Sequence, residues 1–69
     1  MTRNEALAKY LESLDSQKRI AKLRDIREGL DVSRFVVYYW VVGRTRINRV
    51  FFDKISEIVG VDLSVGVEE

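Results

Sequence analysis

LRDIREGLDVSRFVVYYWVVGR, residues 23–44, decides how the rest of the chain is read. Its two halves differ in character. In the first, Leu23, Ile26 and Leu30 recur at helical intervals with charged residues between them, as on a helix half in solvent. Gly29 weakens the last turn, and Asp31 tolerates the left-handed conformation needed to turn the chain. Ser33 then offers a side-chain oxygen to the orphan amides of a new helix. The second half, FVVYYWVV at residues 35–42, is β-branched and aromatic and by propensity alone reads as a buried strand. No other segment has that character, so a strand here would have no partner. Context therefore predicts a helix over about residues 33–42 that stops at Gly43.

On the N-terminal side, Thr2 and Glu5 have the spacing of a capping box. Leu7, Tyr10, Leu11 and Leu14 follow at i, i+3, i+4 and i+7, which predicts an amphipathic helix over roughly residues 3–14. Asp15 or Ser16 can cap a second helix within residues 17–30, with Ile20, Leu23, Ile26 and Leu30 as its buried stripe. On the C-terminal side, residues 44–47 read as a basic loop. Asn48 can cap a helix over about residues 49–59 that Gly60 ends, with Phe51, Ile55, Ile58 and Val59 on its inner face. Residues 61–63 are expected to fold back onto the core. The expected organisation is one domain over residues 1–64 and a flexible C-terminal tail at 65–69. There is no proline, internal repeat or low-complexity linker.

Sixty-nine residues accommodate one small domain, marginally stable by itself. The absence of Cys and His excludes disulfides and the common zinc and haem ligand sets, so no metal or cofactor is expected. Oligomerisation or good helix packing remains as the means of support. The first ten residues carry charges throughout and no apolar signal region, and the longest apolar run, residues 35–42, is too short to span a bilayer. A soluble, cytoplasmic protein without membrane contact is expected. Scattered carboxylates, no His or Cys and no glycine-rich phosphate loop make an enzyme the wrong expectation.

A net charge of +1 hides an uneven distribution. Residues 32–52 hold Arg34, Arg44, Arg46 and Arg49 and no acid, whereas residues 53–69 hold five acids and only Lys54 as a base. A nearly neutral chain can therefore present one strongly basic face.

The segment over residues 20–63 resembles the helix-turn-helix of the Cro and phage-repressor-like (lambda-repressor-like) superfamily. Val32-Ser33-Arg34 is similar to the family's turn, and Val37 and Trp40 to the inward pair of its recognition helix. Gly43-Arg44 is similar to the following loop, and FDKISEIVGV, residues 52–61, to the next helix. The resemblance implies an all-α, compact four- to five-helix domain. Two positions depart from the pattern. Arg27 stands where the family has a small residue at the contact between the two helices, and Asp31 stands where it has Gly. Asp31 bears this at a cost of about 1 kcal/mol. Arg27 must send its charged end outward, or the helices must open slightly.

The resemblance further implies a small transcriptional regulator whose recognition helix reads double-stranded DNA in the major groove. With Ile26, Leu30, Val32, Val37 and Trp40 facing the core, the base-contacting set is Ser33, Arg34, Phe35, Tyr38 and Tyr39. Arg34 suits a bidentate contact to guanine, Phe35 a thymine methyl, and Ser33, Tyr38 and Tyr39 offer hydroxyls. Arg44, Arg46, Asn48 and Arg49 would grip phosphates. Four such contacts give a log–log salt slope of roughly −3.6, modest for one protomer, which favours a homodimer or a protein partner. Phe35, Val36, Val41 and Val42 cannot all be buried on one side of a helix. That leaves an alternative, the same fold serving as a protein-interaction or dimerisation module without specific DNA binding.

Overall fold

Four short polar side chains start four helices. In the computed structural model, which describes residues 1–69, Thr2 caps α1 (Arg3–Glu12), Asp15 caps α2 (Ser16–Leu30), Ser33 caps α3 (Arg34–Val41) and Asn48 caps α4 (Arg49–Val59). Each cap is in extended conformation, and its side-chain oxygen accepts the amide three residues on. At α1 the bond is reciprocated: the Thr2 amide donates to Glu5 Oε1 at 2.9 Å, completing the capping box. There is no strand. Residues 35–41 fold as a helix despite their composition, because Val37 and Trp40, three apart, share one inward face.

Three helices end on a left-handed residue. Asp31 (φ 54°), Gly43 (φ 78°) and Gly60 (φ 74°) reverse the chain after α2, α3 and α4. After α3, the amides of Gly43 and Arg44 return to the carbonyls of Trp40 and Tyr39. After α2, those of Asp31 and Val32 return to Glu28 and Arg27. Asp31 thus performs with a side chain what Gly performs elsewhere.

The core gathers Leu7 and Leu11 from α1, Ile26 from α2, Val37 and Trp40 from α3, and Phe52, Ile55 and Val59 from α4, with Ile47 and Leu63 from the connecting segments. Each large apolar side chain so buried contributes about 2 kcal/mol. α2 packs chiefly on α4, and α1 on α3. The α2–α4 approach depends on Gly29, where a Cβ would lie 2.6 Å from Ile58 Cδ1. The glycine that weakens the last turn of α2 is also the one that lets α4 come close.

Several expectations are corrected. α1 stops at Glu12 rather than at residue 14, because Ser13 and Leu14 form the tight connection to α2. That connection is tied by Arg19, whose guanidinium donates to the carbonyls of Leu11 and Leu14. The stripe of α2 is narrower than expected: Ile26 is buried and Leu23 and Leu30 are half-buried, but Ile20 is 67% exposed. Every residue of the first turn and a half of α2, 16–20, is exposed. On α4 the deepest side chain at the start is Phe52, which was not on the expected inner face, while Phe51 and Ile58 are half-buried at its border. Ile47, at the end of the basic loop, is fully buried. At the C-terminus Val67 packs on the core, the Glu68 amide donates to the Met1 carbonyl, and Glu69 pairs with Arg3 at 3.7 Å. No helix is long and apolar enough to cross a membrane.

Candidate nucleic-acid interface

The outer face of α3 follows from its inner one. With Val37 and Trp40 turned inward, Arg34, Phe35 and Tyr38 stand in solvent, and Tyr39 is half-buried at the edge. Phe35 and Tyr38 are 58% and 59% exposed, unusual for large aromatic side chains that no other part of the chain covers. Ser33, exposed at the head of the helix, accepts the Val36 amide at 3.4 Å and keeps its hydroxyl proton free to donate.

The Schellman turn at Gly43 folds Arg44 back over this face. The Arg44 amide is held by the Tyr39 carbonyl at 2.8 Å, and its guanidinium lies 5.4 Å from the centre of the Tyr39 ring. At the other end Arg34 sits 5.2 Å from the Phe35 ring, and the Tyr38 and Tyr39 rings lie 6.0 Å apart, tilted at 55°. Arg34, Phe35, Tyr38, Tyr39 and Arg44 together surround one shallow depression. Two cations flank an aromatic floor, and no carboxylate lines it.

The remaining phosphate candidates are placed differently. Arg46 lines a separate depression beside the start of α1, together with Glu5 and Glu69. Arg46 shares that depression with two carboxylates, whereas Arg44 lines the one on the outer face of α3. Asn48 uses its carbonyl oxygen on the Phe51 amide at 2.8 Å, so only its side-chain NH2 is free for a ligand. Arg49 is exposed on the first turn of α4.

A residue far from the face shapes the loop that carries it. Asn4, 8% exposed, donates through Nδ2 to the carbonyls of Trp40 (2.9 Å) and Thr45 (2.6 Å), and its Oδ1 accepts the Ile47 amide at 3.3 Å. Arg3 adds a bond to the Ile47 carbonyl at 3.2 Å. The basic loop is thus pinned to α1 by its backbone, while Ile47 anchors it in the core. The sequence did carry a signal for this: Asn4 is a polar residue in register with Leu7 and Leu11 on the inward stripe of α1.

Two carboxyls are shifted. The Thr2 backbone amide, and then its hydroxyl, holds the Glu5 carboxyl below its ordinary value, and the Ser64 hydroxyl and amide do the same for Asp62. Glu5 belongs to the capping box of α1 and Asp62 to the turn at Ser64, and neither lines the depression on the outer face of α3. Comparison with protein families, curated proteins and solved structures returned no match.

Proposed function

We propose that the chain is a lambda-repressor-like helix-turn-helix domain that binds double-stranded DNA. In this reading α2, the Asp31 turn and α3 form the motif, α3 enters the major groove, and the protein is a small cytoplasmic transcriptional regulator without enzymatic activity. The observation that carries it is the outer face of α3, where Arg34 and Arg44 flank exposed Phe35 and Tyr38 on a segment without a single acid. Arg34 presents a forked donor to guanine, and Phe35 an apolar surface to a thymine methyl. Arg44 and Arg49, and the free NH2 of Asn48, reach phosphates on either side, with Arg46 at the margin. A homodimer on two half-sites supplies the cations that one protomer lacks.

Fluorescence anisotropy with a random-sequence duplex at low salt tests this. Binding is expected to weaken by about tenfold or more for Arg34→Glu or Arg44→Glu, because charge reversal replaces an attraction with a repulsion. No binding at low salt, or binding indifferent to both changes, overturns the proposal. A second reading, a protein-interaction module that does not bind DNA, draws on the same exposed Phe35 and on Val42, which is 54% exposed. It predicts no binding to the duplex at low salt.

A further inference from the structure

Between α2 and α3 runs an open groove of about 360 Å³, distinct from the depression on the outer face of α3. Its floor is apolar, formed by half-buried Leu23 and by Val37, and its walls are Ile20 and Tyr38, both more than half exposed. Three arginines, Arg24, Arg27 and Arg34, stand around it. None has an acidic partner: the two ion pairs of the chain join Met1 to Glu68 and Arg3 to Glu69. No carboxylate lines the groove.

The chemistry of the groove narrows its occupant. A DNA backbone would satisfy the arginines but leave Ile20 and Leu23 facing sugar and phosphate, with nothing apolar to displace water from them. A second copy of this chain carries its excess acid over residues 53–69. Setting that region into the groove is a head-to-tail contact, which builds rings or open filaments rather than a closed pair. An amphipathic segment with apolar anchors on one side and carboxylates on the other meets the floor and the rim together. We infer that the α2–α3 groove docks an acidic amphipathic helix of a partner protein, its apolar side chains on Leu23, Val37 and Ile20 and its carboxylates on Arg24, Arg27 and Arg34. Arg34 and Tyr38 belong both to the groove and to the outer face of α3. Occupation of the groove and DNA binding are therefore mutually exclusive, and the partner acts as a regulator; this last step alone rests on the DNA reading.

The test uses the full chain and a labelled helical peptide with Leu at i, i+3, i+4 and i+7 and Glu at most other positions. Anisotropy is expected to give saturable binding, weakened by about tenfold for a scrambled peptide of the same composition. Ile20→Asp, and separately Arg24→Glu with Arg27→Glu, are each expected to weaken it by about tenfold as well, with circular dichroism verifying the helices. Ile20 is solvent-exposed and outside the α3 face, so Ile20→Asp should leave duplex binding unchanged. The unlabelled peptide should displace a labelled duplex from the unsubstituted protein. Equal binding of the scrambled peptide, or no effect of Ile20→Asp, overturns the docking site. A ternary complex of protein, peptide and duplex overturns the exclusion. Self-association that Ile20→Asp abolishes assigns the groove to a second copy and overturns the partner. Loss of the DNA reading alone leaves the peptide arm intact, so the two failures are distinguishable.

Discussion

The side chain of Asn4 meets three backbone groups, at Trp40, Thr45 and Ile47, that no other side chain of the core could satisfy. Truncation to Asn4→Ala leaves the Ile47 amide buried without a partner and removes a bond from each of the Trp40 and Thr45 carbonyls, so unfolding in urea should show a loss of about 1–3 kcal/mol. Because the groups belong to the loop carrying Arg44, the same variant should also weaken duplex binding, although Asn4 touches no ligand. Retained stability would mean that water reaches the loop carbonyls. At Glu5 the consequence is one of pH. Its carboxylate accepts the Thr2 amide, which lowers its folded pKa below the unfolded one. Its contribution to stability is therefore complete above the unfolded value and is lost as pH falls through the folded one. The difference in Tm between the wild-type chain and Glu5→Ala should accordingly be constant near neutrality and shrink on acidification. A difference that persists at the acid end would mean that the carboxylate plays no part in the cap.

At the scale of elements, α2 and α4 are set by one small residue. Gly29→Ala brings a gain in helix propensity of about 1 kcal/mol and a collision with Ile58 Cδ1. Ile58→Val removes the colliding methyl. The two substitutions should therefore couple favourably, with Gly29→Ala better tolerated in the Ile58→Val background by about 0.5–1 kcal/mol in a double-mutant cycle. Additive effects would indicate that Ile58 simply rotates away. α3 obeys a different balance. Its residues prefer strands, yet a Ser33 cap, a Gly43 stop and an inward pair at Val37 and Trp40 give the helix a start, an end and a buried face. The remaining apolar and aromatic side chains are left outside, which is why this helix, and not the more polar α2, presents the candidate interface.

For the whole molecule, the separation of charge matters more than its sum. The cations of the middle segment and the acids of the last one make a protein that is nearly neutral in total yet polar in distribution. Duplex affinity should fall with salt at a log–log slope of roughly −0.9 for each phosphate engaged. Arg44→Glu and Arg49→Glu should each make that slope shallower by about 0.9, whereas Arg46→Glu, set beside Glu5 and Glu69, should change it less. Equal effects of all three would place Arg46 on the DNA despite its neighbours. A slope of about −7 would indicate two protomers bound together.

The features legible along the chain were local: four capping side chains, the left-handed stops at Asp31, Gly43 and Gly60, the helical spacing of the apolar residues and the basic middle segment. These depend on interactions within a few residues and are therefore written in order along the chain. Helix ends came within a residue or two, and the four caps lie at expected positions. Packing between distant segments set the rest: Ile20 exposed and Ile47 buried, Asn4 holding the basic loop, Arg44 lining the α3 depression and Arg46 a different one, and residues 65–69 lying on the N-terminus. Each of these depends on which distant segment arrives beside a residue. Burial and charge grouping are properties of neighbours in space, and the LRDIREGLDVSRFVVYYWVVGR stretch specifies its helices without specifying what covers them.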